Sequence, residues 1–441
     1  MIELPGRNFT CCDQISRRHA LKIGFLGLGG LSLSDLLRAK ASAGKPESQS
    51  PATSVIFIEL AGGPSHFETY DPKPDAPREY RGPLASIGTK LPGVRFSQYF
   101  VEQAKIADKL AVIRSISHPN SSHESSSHLT QTGYYLRDRQ NRENEMPCAG
   151  AVAARVCGAN AEGVPPYVAI PKVMRSGSAA FLGKAFNPFE TGGDPSKSNF
   201  KVNNLALVKN MSTERLAERR DLLASLDSVR RVVDRQGASG AMDRFTEQAF
   251  EMVTGPRARQ AFDLTLEPQK MRDKYGDHVS GQSLLLARRL IEAGVTFVTV
   301  RVGGWDDHQQ IASKIKQKAP AYDQGVATLV RDLHQRGLDR QVLVVAMGEF
   351  GRTPRVNKQA GRDHWGSAMS VLVAGGGLRM GQVIGSTNSK GETPTQSPYR
   401  PENVLAQVYR HLGVDTHQTF VDFSGRPRYV LEEHGIISEL I

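Results

Sequence analysis

Residues 296–308, TFVTVRVGGWDDH, and residues 341–354, QVLVVAMGEFGRTP, share one plan. Each is a run of β-branched and aliphatic residues that breaks at glycine into carboxylates, an imidazole or a guanidinium. An apolar run of this kind, with little polar alternation, suits a strand whose sheet is covered on both faces. Between the two runs the periodicity is helical. After Pro320, the residues Tyr322, Val326, Leu329, Val330 and Leu333 share one face, and Gly337 ends the stretch. Strand, helix, strand is the unit of a parallel sheet, so the pattern predicts an α/β three-layer sandwich with a mainly parallel central sheet. Working outward, residues 55–60 (VIFIEL), 110–113 (LAVI) and 370–374 (SVLVA) read as further strands. Residues 203–275 are charged and poor in strand signals, which predicts a helical insertion lying over the sheet. The Gly/Pro/Ser/Asn-rich stretch 181–204 reads as a long loop bordering a site.

Near the start, Ser16-Arg17-Arg18-His19-Ala20-Leu21-Lys22 precedes a glycine-rich apolar stretch and then Ala41-Ser42-Ala43. Paired arginines, a short apolar region and a small-residue cleavage motif, in that order, predict a twin-arginine signal peptide over 1–43. A linker over 44–53 and one large domain over 54–441 follow. The expectation is export of an already folded chain, so the twin-arginine export machinery is a partner and the location is periplasmic or otherwise exported. The apolar stretch is too short for a permanent anchor, and no stable membrane span is expected in the mature form. The formal net charge of +11 over 441 residues favours anionic partners, either small-molecule esters or glycan esters. No zinc finger, helix-turn-helix or aromatic-interleaved basic stripe is evident, so nucleic acid is not an expected partner. Cys11 and Cys12 fall in the leader; Cys148 and Cys157 either pair in an oxidising compartment or remain free thiols.

The loops beyond the C-terminal ends of parallel strands converge on one crevice. Three polar clusters belong to such places: Gly303-Gly304-Trp305-Asp306-Asp307-His308, Gly348-Glu349-Phe350-Gly351-Arg352-Thr353-Pro354 and Gly361-Arg362-Asp363-His364-Trp365. Any one of these residues alone reads as a turn cap, a solvated carboxylate or an ion-pair member. Together, carboxylates and imidazoles from separate strand ends form a donor set suited to zinc, manganese or a similar divalent ion. Trp305 and Trp365 would then wall a polar centre.

These clusters, with Asp323 on the intervening helix, VLVAGGGLRMGQVIGSTN at 371–388, LAGGPSHFETYDPKP at 60–74 and SSHESSSHLTQTGYY at 121–135, carry a resemblance over nearly the whole mature chain. The sequence resembles an uncharacterised exported family, domain of unknown function 1501, of the alkaline phosphatase and sulfatase superfamily. The resemblance implies an alkaline phosphatase-like fold and one or two divalent ions, with zinc, manganese and calcium as candidates. By position Asp306, His308 and His364 resemble the ligands of one metal, and Glu349 stands where the superfamily has its Asp-His. Asp363 becomes a further ligand or the orienter of an imidazole. Arg352 would grip an anionic ester with paired hydrogen bonds, or form an ion pair with Asp363 or Glu349.

Two departures follow. The strand at 55–60 ends in Ala61-Gly62-Gly63 where the superfamily places a ligand Asp, which leaves Glu59, His66 or Asp71 as substitutes; His66 is taken as the metal ligand. Leu129-Thr130-Gln131-Thr132-Gly133-Tyr134 resembles the end of the sulfatase nucleophile helix. Counting back places His123 at the nucleophile position, as a metal ligand, phosphoryl acceptor or general acid/base, with Ser122 as the neighbouring nucleophile candidate. His118, Glu124 and His128 join the cluster, and without a Cys-x-Pro-x-Arg motif formylglycine chemistry is not expected. The implied function is a metal-dependent hydrolase of phosphate or sulfate esters. The alternative is a non-catalytic exported protein that keeps the fold and binds anionic glycans.

Overall fold

A computed structural model describes residues 52–138, 141, 143–202, 218, 251 and 255–441. The leader and most of the linker therefore lie outside the described residues, as does nearly all of 203–254 in the expected insertion. Ala52–Ile441 forms one compact unit.

Its centre is an eight-stranded sheet: β1 Ser54–Leu60, β2 Ala111–Ile116, β3 Tyr167–Ile170, β4 Phe189–Glu190, β5 Phe297–Val302, β6 Val342–Met347, β7 Met369–Gly375 and β8 Gln382–Ile384. In space the order is β8-β2-β7-β6-β1-β5-β3-β4. β1 is central and pairs in parallel with β5 (Ile58 opposite Val300) and with β6 (Ile58 opposite Ala346). β7 alone runs against its neighbours, antiparallel to both β6 and β2. Its first residues therefore lie at the edge where the other strands finish.

The strands are apolar throughout because both faces are covered. Ile56, Ile58 and Leu60 of β1 join Val298, Val300 and Val344 under α3 Val279–Ala293 and α4 Ile311–Gln335. The alternate residues, Val55 and Phe57 with Leu343 and Val345, face α2 Ala149–Val156 and α5 Pro401–Leu412. Each such aliphatic side chain contributes about 1.5–3 kcal/mol when fully buried.

Two expectations change, and the alternative left open for the cysteines closes. The helix does not start after Pro320, which lies inside α4. Pro320 and Lys316, four residues earlier, are both exposed, so water can satisfy the carbonyl that proline leaves without a donor. The stretch expected as loop from 181 contains the edge strand β4 and two short 3-10 turns, Ala180–Leu182 and Lys184–Phe186. The cysteines are free: they flank α2, about 13.5 Å of helical rise apart. The described end of the expected insertion is helical, Pro256–Phe262 and Gln269–Tyr275, and buries Phe262 and Tyr275 in the core under α3 and α4. Among the described residues no helix is long and apolar enough to cross a membrane.

Candidate metal centre

The turn after β1 sets the spacing of the site. Gly62 has φ +115°, and a Cβ there would lie 2.4 Å from the backbone nitrogen of Asp306. Only glycine fits such a backbone at such an approach. Its N–H donates to both carboxylate oxygens of Glu349, at 3.0 Å each. Where the superfamily resemblance leads one to look for a ligand carboxylate, this chain instead packs its backbone against Trp305-Asp306 and anchors the carboxylate of another strand end.

Three imidazoles converge above this turn. Nδ1 of His123 lies 2.7 Å from Oε1 of Glu349. Nδ1 of His308 lies 2.7 Å from Oδ1 of Asp363, and Nδ1 of His364 lies 2.8 Å from the carbonyl oxygen of Ser121. Oxygen acceptors at all three positions place the proton on Nδ1 and leave Nε2 of a neutral ring as a lone pair. All three Nε2 atoms point at one carboxylate. Those of His308 and His364 are 3.0 Å from Oδ1 of Asp306, and that of His123 is 3.4 Å from Oδ2. The Nε2 atoms of His308 and His364 are also 3.0 Å from each other. Lone pairs so close to each other and to a carboxylate repel, and a shared cation removes the conflict. A divalent ion fits this donor set. His123, Asp306 and His364 each offer one atom within 4.8 Å of the others, and every ring has the second hydrogen bond that fixes ligand imidazoles. Phe350, fully buried, forms the apolar floor, with ring centroids 4.3 Å from His364 and 5.1 Å from His123.

His123 thus stands with the donors; Glu349, expected as a ligand, lies behind the His123 ring, and Asp363, expected as a further ligand or an imidazole's orienter, lies behind the His308 ring. Arg352 is corrected more sharply. It is 0 % exposed, and its donors go to the carbonyls of Gly63 (2.8 Å), Arg362 (3.1 Å), Trp305 (3.2 Å) and Gly62, and to Oδ1 of Asp306. It cannot grip an ester from there; it supports Asp306 from beneath. Burial opposes ionisation of Asp306, but the hydrogen bond and the charge of Arg352 outweigh it and hold the carboxyl well below the usual carboxylate range. His123 is raised, first by its hydrogen bond to Glu349.

His66 is not a ligand. It is 1 % exposed, its Nε2 bonds the carbonyl of Gly391 at 2.9 Å, and burial lowers its pKa to about 4. His128 is a core residue, bonding the Tyr134 carbonyl through Nδ1 and accepting from Glu145 and Met146 N–H groups through Nε2. His118 ties its Nε2 to the backbone carbonyl of Glu349 at 2.8 Å and braces the site without entering it. Trp305 is buried against Tyr322, centroids 5.5 Å apart, and walls nothing; Trp365 is half-buried and donates to the Glu392 carbonyl. Ser122 is exposed at the N-cap of α1 His123–Thr132, with no side-chain capping bond. The Ser121 carbonyl and the Gly62 N–H were missed because backbone groups leave no mark in residue type; the Gly62-Gly63 pair after a strand was the available signal.

The family model described as "Protein of unknown function (DUF1501)" matches residues 52–441. The chain belongs to the DUF1501 family. No curated protein matches this DUF1501 chain in sequence. Among solved structures, it is similar to the PsFucS1 sulfatase from Pseudoalteromonas sp., at 12% identity and TM-score 0.38, covering 87% of this chain and 70% of that one. It is also similar to the alkaline phosphatase from the Antarctic bacterium TAB5 (11%, TM-score 0.37, 82% and 99%) and to the phosphonate monoester hydrolase from Silicibacter pomeroyi (9%, TM-score 0.35, 82% and 73%). Likenesses this low carry no function to the DUF1501 chain, whose reading rests on its own residues.

Proposed function

We propose that this chain is an exported metal-dependent hydrolase of phosphate or sulfate esters. The observation that carries the reading is the convergence of three imidazole Nε2 atoms on the Asp306 carboxylate at the strand ends. Asp306, His123 and His364, with His308 beside them, would hold a divalent ion, which would supply Lewis acidity toward an ester oxygen and lower the pKa of water. The chain's residues do the rest. Glu349 and Asp363 fix the ring orientations, and Arg352 keeps Asp306 ionised. Ser122, one residue before His123, presents an uncapped hydroxyl as nucleophile candidate at the start of α1, where the helix dipole favours developing negative charge. Arg17 and Arg18 support export by the twin-arginine route.

The test is turnover by purified protein reconstituted with zinc or manganese, using an aryl phosphate, a diaryl phosphodiester and an aryl sulfate. Cleavage of one class that is abolished by chelation, by Asp306→Asn and by Ser122→Ala is expected. Metal-replete protein inert toward all three classes refutes the reading; full activity of Ser122→Ala refutes the nucleophile assignment alone.

A further inference from the structure

A groove of about 890 Å³ runs between residues 72–86 and the loop 353–361. Lys73, Arg78, Arg81 and Arg95 line it, with Glu79 as the carboxylate among the lining residues. Lys73 is neutralised, 3.1 Å from the buried Asp71. The three arginines are not. Arg81 donates to the carbonyl of Pro74, Arg95 to the hydroxyl and carbonyl of Ser86, and Arg78 has no partner among the described residues. All three are exposed and none meets a carboxylate among the described residues. Guanidinium groups without a carboxylate partner keep their charge for a ligand.

The groove is built into the loop that carries the site. The Val356 N–H donates to the carbonyl of Glu79 at 2.8 Å, and Arg362 Nη2 donates to the carbonyl of Tyr80 at 2.7 Å. On the other side of that loop Asn357 donates to the carbonyl of His308 at 3.0 Å, and Asp363 orients the His308 ring. A chain lying in the groove therefore runs along the wall that positions His308.

We infer that the groove holds a segment of a sulfated or carboxylated polysaccharide, so that the ester at Asp306 is carried on a charged glycan. The binding stands on the groove itself; its link to turnover rests on the hydrolase reading above. The apolar lining is proline and aliphatic, with no aromatic ring among the described lining residues on which a base could stack, which favours a glycan over single-stranded nucleic acid.

The experiment is equilibrium binding of fluorescent dextran sulfate, with neutral dextran and a single-stranded oligonucleotide of equal charge as controls, across a salt series. The purified full-length protein and its Arg78→Glu and Arg78→Glu/Arg81→Glu variants are compared, with Tm and metal content recorded for each. Dextran sulfate should bind and neutral dextran should not. The double variant should bind at least about tenfold more weakly, with a log–log salt slope shallower by about two. Equal binding by the variants, equal binding of neutral dextran, or a preference for the oligonucleotide would overturn the inference. Aryl-ester turnover of the same native preparation keeps the two readings apart: binding without turnover supports the groove and counts against the hydrolase, and turnover without binding does the reverse.

Discussion

Glu349 is 5 % exposed and shares its carboxylate between the Gly62 N–H and the His123 ring. Glu349→Gln keeps the shape but removes the charge that fixes His123, so metal affinity should fall about 10–100-fold in a chelator competition. An unchanged affinity would show that His123 needs no such support. Glu59, on β1, answers to pH. Burial first, and then the nearby Glu349, raise its pKa to about 8 from an ordinary 4.5, against the opposing pull of Arg301. The folded chain keeps this proton while the unfolded chain releases it, so the associated stability is complete below 4.5 and is lost as pH rises through about 8. Glu59→Gln should remove that decline, seen as a Tm that falls less between these values; parallel Tm profiles would contradict it. Asp306, His308 and His364 were legible in sequence because polar residues that interrupt an apolar strand must sit at its end. The roles of Glu349 and Arg352 were not, and that of Asp363 stayed open between ligand and orienter, because residue type does not say whether a charged group faces the crevice or lies beneath it.

The elements place these residues through two devices. One is the glycine turn after β1: Gly62→Ala would set a Cβ 2.4 Å from Asp306 N at a φ of +115°, and should cost roughly 2–4 kcal/mol in denaturant unfolding. A neutral substitution would mean that the turn can shift without moving Asp306. The other is the reversed β7, which delivers His364 to the common edge from its N-terminal side. The sequence showed that residues 370–374 form a strand but not its direction. The clue lay in residues 348–368, which hold no helical periodicity, whereas a parallel crossover usually needs a helix. The long central strands β1, β5 and β6 were readable from their continuous apolar runs. β3, β4 and β8 have four, two and three residues, too few for any period to register.

At the scale of the whole molecule, the proposed route out of the cell makes a separate prediction. Arg17→Lys/Arg18→Lys in the full chain should leave unprocessed protein in the cytoplasm, read by fractionation and N-terminal mass; export of the variant would remove the twin-arginine assignment while leaving the site untouched. What unites the molecule is that the strand ends bring one carboxylate and three imidazoles together, the donor set that the proposed function assigns to a single cation. Elemental analysis of the purified protein, native against Asp306→Asn and His364→Ala, tests that most directly. The native chain should carry about one tightly held divalent ion that both variants lose. A native chain without metal after growth in metal-supplemented medium, or variants that keep a full complement, would contradict it.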